Sequence, residues 1–185
     1  MDTDTSIVTT FRPCLVHDRP YWHVVSPHGF FHHNVRCGRG ELVSVSAIAA
    51  DPNLKNAQTP YSSARLADPK DAVFEKVREA NFPERPPRLK ALFVFDDVAI
   101  AERALEEWFP NEQKLVHECR IVCGSNIHKA DALWLNARVA QFEEHAARYW
   151  QGEMTESPFP EVIVNGALYF PGWESFPAGL LATEV

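Results

Sequence analysis

Glu161-Val162-Ile163-Val164-Asn165-Gly166-Ala167-Leu168-Tyr169-Phe170 is the stretch whose reading decides the fold. Two β-prone runs flank Asn-Gly, the dipeptide that reaches positive φ most readily, so the spacing predicts a two-residue hairpin closed by Pro171-Gly172. In that register Val164 faces Ala167, Ile163 faces Leu168 and Glu161 faces Phe170. Side chains alternate along a strand, which sets Glu161 on the face of Ile163, Leu168 and Phe170. A carboxylate at the rim of an apolar face is partly desolvated, a setting suited to an acid or charge stabiliser in a cleft. The plainer reading is a strand that opens at the solvent edge.

Upstream of this unit, Asp131 is expected to cap the longest helix, in which Leu135, Val139, Phe142, Ala146 and Tyr149 keep helical spacing until Gly152. Leu115 to Cys123 reads as a strand, stopped by Gly124-Ser125. Asp96-Asp97 caps a helix striped by Ala101, Ala104, Leu105 and Trp108, and Leu89 to Phe95 reads as a strand. The proline-rich run Pro83 to Arg88 is a rigid connector behind a helix that starts at Asp68-Pro69. Asp51 to Ser63 has no periodicity and is expected to be a loop, as is the histidine-bearing stretch after Ser26-Pro27. Glu41 to Ala50 fits a strand or the start of a helix. Tyr21-Trp22-His23-Val24-Val25 is a short buried strand behind a lead-in over residues 1–19. Strands and helices alternate without a β-α-β rhythm, so the expected fold is α+β, one domain over residues 1–185 with its core at about residues 20–172.

Composition narrows the function. With 45% hydrophobic and 23% charged residues the chain is globular, and no apolar run approaches the roughly 20 residues of a membrane helix. No signal peptide is visible, which predicts a cytoplasmic protein, or one delivered into a target cell. A net charge of −7 disfavours general nucleic-acid binding. Arg85, Arg88 and Lys90 form one compact basic cluster, a candidate nucleic-acid contact or simply a solvated loop. Cys14, Cys37, Cys119 and Cys123 include no C-x-x-C pair and are expected to be free thiols in a reducing compartment. Cys37-Gly38-Arg39-Gly40 matches neither a phosphate loop nor a dinucleotide fingerprint.

His28, His32 and His33 lack a carboxylate or thiolate at clean ligand spacing, so no metal is expected. There is no G-x-S-x-G elbow, and Cys123 has no charged activator beside it. Three residues stand out instead. His23 sits in an aromatic strand, as a satisfied core histidine or a cleft-lining donor. Tyr61, in Pro60-Tyr61-Ser62-Ser63, can wall a flat ligand ring. Glu161 is the third.

Together, the Tyr-x-His-Val strand, the aromatic beside serines and the late strand opening with Glu resemble the His-Tyr-Glu arrangement of the ADP-ribosyltransferase superfamily, in the branch of diphtheria-type toxins and poly-ADP-ribose polymerases. Phe74-Glu75-x-x-Arg78, Phe82-Pro83, Pro87-Arg88-Leu89-Lys90, Tyr149-Trp150 and Pro160-Glu161-Val162 are similar to a little-characterised bacterial family within it. The resemblance implies a split mixed β-sheet with flanking helices and NAD as substrate, without a metal. It implies that His23 binds a ribose hydroxyl, the Val24 backbone meets the carboxamide and Tyr61 stacks on nicotinamide, a part that Tyr149 or another aromatic can also play. Glu161 then holds the ribose 2′-hydroxyl and stabilises the charge that grows as nicotinamide leaves.

Arginine-modifying relatives carry Glu or Gln two positions before the catalytic Glu. Here that position is Phe159, which points to another acceptor. The expected activity is transfer of ADP-ribose to a macromolecule, nucleic acid or a non-arginine protein site, by a toxin, effector or defence enzyme that a partner can neutralise. The alternatives are a small-molecule-modifying enzyme, an NAD glycohydrolase, or an inert binding module on the same fold.

Overall fold

The strands on either side of Asn165-Gly166 do not pair with each other. The computed structural model describes residues 13–27, 30–65 and 67–177. Their order is β1 (Tyr21–Val25), α1 (Phe31–Cys37), β2 (Glu41–Val43), α2 (Val45–Ile48), α3 (Pro60–Arg65), α4 (Pro69–Asn81), β3 (Leu92–Val94), α5 (Val98–Trp108), β4 (Leu115–Ile121), β5 (Asn126–Asp131), α6 (Phe142–Gln151), β6 (Pro160–Asn165) and β7 (Ala167–Tyr169), with short 3₁₀ turns between. One sheet has the order β1-β4-β7-β2 and the other β3-β6-β5. Every pairing between these strands is antiparallel, so the fold is α+β with two antiparallel sheets rather than mixed ones.

The expected hairpin is therefore a corner between sheets. Val164 pairs with Leu92 on one side and Ile127 on the other, which uses both edges of β6. β7 is likewise taken by β2 and β4. Gly166 makes the crossing at φ 152°, with the Ser125 Cβ 2.6 Å from the place a Gly166 Cβ would take. Ser44 clamps it: its amide donates to the Gly166 carbonyl at 2.8 Å, and its hydroxyl accepts from the Gly166 amide at 3.0 Å. Glu161 still shares a face with Ile163, but Leu168 and Phe170 lie in another core. They join Val162 and Val164 in a cluster drawn from both sheets, whereas Ile163 packs with Phe74, Ala146, Tyr149 and Trp150 under α4 and α6.

The expected helix starts at Asp68 and Asp97 hold, each carboxylate accepting from the amide two residues on, at 2.9 and 2.8 Å. Gly152 ends α6 in the left-handed conformation. Asp131, however, ends β5 and caps only a 3₁₀ turn over Ala132–Asn136, and the helix waits until Phe142. Its four hydrogen bonds explain why: Asp131 accepts from Leu133, Phe159 and Thr155 amides and the Thr155 hydroxyl, pinning the chain between β5 and β6. The expected strand from Leu89 shortens to β3, because Arg88–Lys90 form a 3₁₀ turn. His32 and His33 lie on α1 rather than in a loop, and His28 lies outside the described residues.

Cys14 and Cys123 are disulfide-bonded, with Cα atoms 5.3 Å apart. That corrects the expectation of four free thiols; Cys37 and Cys119 alone are free. A partner 109 residues away leaves no spacing signature in the sequence. Among the described residues no helix is long and apolar enough to cross a membrane.

Candidate functional site

A cleft of about 680 Å³ opens where the two sheets adjoin. β1 and β3 are stitched there by a reciprocal backbone bridge between Trp22 and Phe95. β3 in turn pairs with β6, Phe93 against Ile163. This ladder carries His23 and Val24 from β1 to the same cleft as Glu161, the second residue of β6. Tyr61 lines it too, but from α3 rather than from the expected loop. Four residues from three distant parts of the chain thus share one cavity. Tyr149 does not line it: it lies behind Glu161, fully buried.

Glu161 is 1% exposed, and its carboxylate is held from behind. The Tyr149 hydroxyl donates to Oε1 at 2.6 Å, and the Arg88 Nε stands 3.7 Å from the same oxygen. Both of these contacts fall on Oε1. The carboxylate is thus anchored through one oxygen, and the residue lines the cleft. Arg88 also donates to the Tyr149 hydroxyl at 3.2 Å, to the Tyr61 hydroxyl at 2.6 Å and to Asp71 at 3.2 Å. Burial works against the guanidinium charge, but Tyr149, Glu161, Tyr61 and Asp71 together raise its pKa well above the ordinary arginine value. Burial and the neighbouring Glu161 carboxylate likewise push the Tyr149 hydroxyl far up, so it stays protonated as a donor.

His23 is fixed by Nδ1, 2.6 Å from the Phe93 carbonyl. Burial lowers its pKa to about 4, against the raising effect of that carbonyl and with a further lowering by His117. The imidazole is neutral at pH 7. A carbonyl only accepts, so the proton sits on Nδ1 and Nε2 is left as an acceptor for a hydroxyl donor. Tyr61 keeps its ring edge-on to Phe93 at 5.8 Å.

The basic cluster expected at the surface is not one. Arg88 turns inward, Arg85 pairs with Glu84 at 3.3 Å, and Lys90 donates to the Lys55 carbonyl. The buried carboxylates at 71 and 161 outbid solvent for the guanidinium. Arg88, Asp71 and Tyr149 are the members of the site that sequence reasoning left out of their roles. Their signal was the presence of polar residues inside segments otherwise read as helix faces and connector, and it becomes specific only once α4 and α6 are packed together. Trp108, which also lines the cleft, stacks on Phe159 at 4.7 Å and is 41% exposed. Among the described residues no group of three or more His, Cys, Asp or Glu side chains forms a metal-ligand set.

These features define an α+β protein with a ligand-sized cleft at the junction of two antiparallel sheets, built around one buried, cleft-facing carboxylate. The chain belongs to the family described as a protein of unknown function (DUF2441), which matches residues 47–170. That span holds Tyr61, Asp71, Arg88, Tyr149 and Glu161, whereas His23 and Val24 precede it. No curated protein matches the chain.

Proposed function

We propose that this cleft binds NAD and transfers its ADP-ribose to an acceptor, with release of nicotinamide. The observation that carries the reading is the meeting of His23, Val24, Tyr61 and Glu161 on one cavity. Each is equipped for its part. The His23 Nε2 accepts a ribose hydroxyl, the Val24 backbone meets the carboxamide, and the Tyr61 ring gives a flat wall for the pyridinium. The Glu161 carboxylate accepts from the 2′-hydroxyl of the adjoining ribose.

As the glycosidic bond breaks, its electron pair leaves with the nicotinamide nitrogen and positive charge grows on the sugar. A fixed, buried carboxylate stabilises that charge more than it stabilises the bound substrate, by roughly 3 kcal/mol. The acceptor nucleophile then completes the transfer on the sugar carbon. Phe159 is buried against Trp108, so an acidic side chain to engage an arginine acceptor is missing from that position. This favours a macromolecular acceptor other than arginine.

The test is nicotinamide release from NAD in the presence of cell extract, wild type against Glu161→Gln. We expect a loss of about 10² or more in rate, the usual effect of removing one transition-state charge stabiliser. Release that is absent in both proteins, or equal in both, overturns the reading and leaves an inert binding module. Label carried to nucleic acid, to protein or only to water assigns the acceptor.

A further inference from the structure

We propose that Arg88 is a positioning residue, one buried guanidinium that sets the orientation of both the Tyr61 wall and the Glu161 carboxylate. This rests on the function proposed above. Five elements meet at this side chain: Tyr61 from α3, Asp71 from α4, Arg88 from its 3₁₀ turn, Tyr149 from α6 and Glu161 from β6. Nη1 donates to the Tyr61 hydroxyl at 2.6 Å and to Asp71 at 3.2 Å. Nε donates to the Tyr149 hydroxyl at 3.2 Å, and that hydroxyl in turn donates a hydrogen bond to Glu161 at 2.6 Å. The donor order runs one way, from guanidinium to phenol to carboxylate, so the relay has a single arrangement.

The chemistry of the group matters. A planar fork donates in two fixed directions at once, toward Tyr61 and toward Tyr149, whereas an ammonium is a point charge on a flexible stem. Asp71, 3% exposed, closes the third side and keeps the fork from turning. Apolar side chains would fill such a space as stably as buried ions do. What the ions add is direction, and both groups they direct line the cleft.

The proposal separates from a merely structural role by kinetics. Tyr149→Phe keeps the ring packing and cuts only the link to Glu161. We expect kcat for nicotinamide release to fall about 10- to 100-fold, with KM for NAD within about twofold, because the carboxylate acts chiefly in the transition state. Arg88→Lys is expected to lower kcat and raise KM together, since both Tyr61 and Glu161 lose their fixed orientation. In Arg88→Ala, millimolar guanidinium restores turnover and methylammonium does not. Arg88→Ala leaves Glu161 without its cation and Asp71 with Arg65 alone at 3.8 Å, so thermal unfolding accompanies each assay, and Tyr149→Phe carries the test if that variant does not fold.

Wild-type kcat and KM in both Tyr149→Phe and Arg88→Lys overturn the positioning role while leaving the proposed function standing. Losses that only follow the folded fraction, with KM untouched in Arg88→Lys, overturn it too. No nicotinamide release from the wild type overturns the function itself, and the positioning role with it.

Discussion

Replacing Glu161 by Gln is expected to cost turnover while costing the fold little, and the magnitude follows from the ion-pair geometry. The Arg88 Nε lies 3.7 Å from Oε1. At an effective dielectric of about 20 that attraction is about 4.5 kcal/mol. Burying the carboxylate itself costs several kcal/mol, and Glu161 is almost wholly buried. The two nearly cancel. In the variant, Arg88 keeps Asp71 at 3.2 Å, and the amide oxygen still accepts from the Tyr149 hydroxyl. The net change should lie within about 1.5 kcal/mol of zero, a Tm shift of at most about 5 °C for a chain of this size. Were Glu161 the one partner holding Arg88, its loss would leave an unpaired buried cation, at about 3–5 kcal/mol and a Tm fall of about 10 °C or more. Thermal unfolding followed by circular dichroism at pH 7 decides between them. A fall beyond about 10 °C would make the carboxylate a structural counter-ion and refute the reasoning.

Acidification should destabilise the protein before its carboxylates titrate fully. The His23 pKa of about 4 lies below its unfolded value near 6.5, so the unfolded chain binds more protons between those two pH values. Its contribution is complete above pH 6.5 and is lost as pH falls through 4, and His117, His32 and His128, all lowered first by burial, act in the same sense. Urea midpoints measured from pH 7 to pH 4 should drop steadily; a flat or rising series contradicts this. Gly166→Ala should destabilise by about 2 kcal/mol or more, since φ 152° and the packed Ser125 leave no room for a methyl group, and an unchanged denaturation midpoint would refute the corner geometry. Asp131→Ala should cost about 3–5 kcal/mol in the same assay, because three backbone amides and a hydroxyl lose their acceptor, and a cost under about 1 kcal/mol would refute the pinning role.

The sequence is legible where local chemistry and tertiary position agree. Asp68-Pro69, Asp97 and Gly152 mark helix ends whose hydrogen bonds close within a few residues, and the structure keeps them. Asn165-Gly166 has the local chemistry of a hairpin, yet β6 finds better partners on both edges in β3 and β5. The glycine is then used for a different turn of the backbone. Asp131 fails in the same way: a helix cap by pattern, it is recruited by amides from Phe159 and Thr155, more than twenty residues away. β5 escaped notice because its strand state comes from pairing with β6 over six residues and not from alternation, with Ala130 and Asp131 both buried.

The site divides along the same line. His23 and Glu161 were readable because each stands in a β-prone run where a titratable group is out of place, and Tyr61 because an aromatic among serines is conspicuous. Arg88 is opaque in the sequence for a physical reason: among Arg85 and Lys90 its charge looks like part of a solvated loop, and only the burial of Asp71 and Glu161 makes the interior the lower-energy place for it. A buried guanidinium needs its carboxylates from elements distant in sequence, here α4 and β6, so no window of residues can contain the evidence for it. The same reasoning explains why the cluster survives in a core otherwise lined by Phe74, Ala146, Trp150 and Ile163. Asp71 is shared with Arg65 at 3.8 Å, so two guanidinium groups answer the two carboxylates, and the cluster holds its charges beside the cleft close to balance.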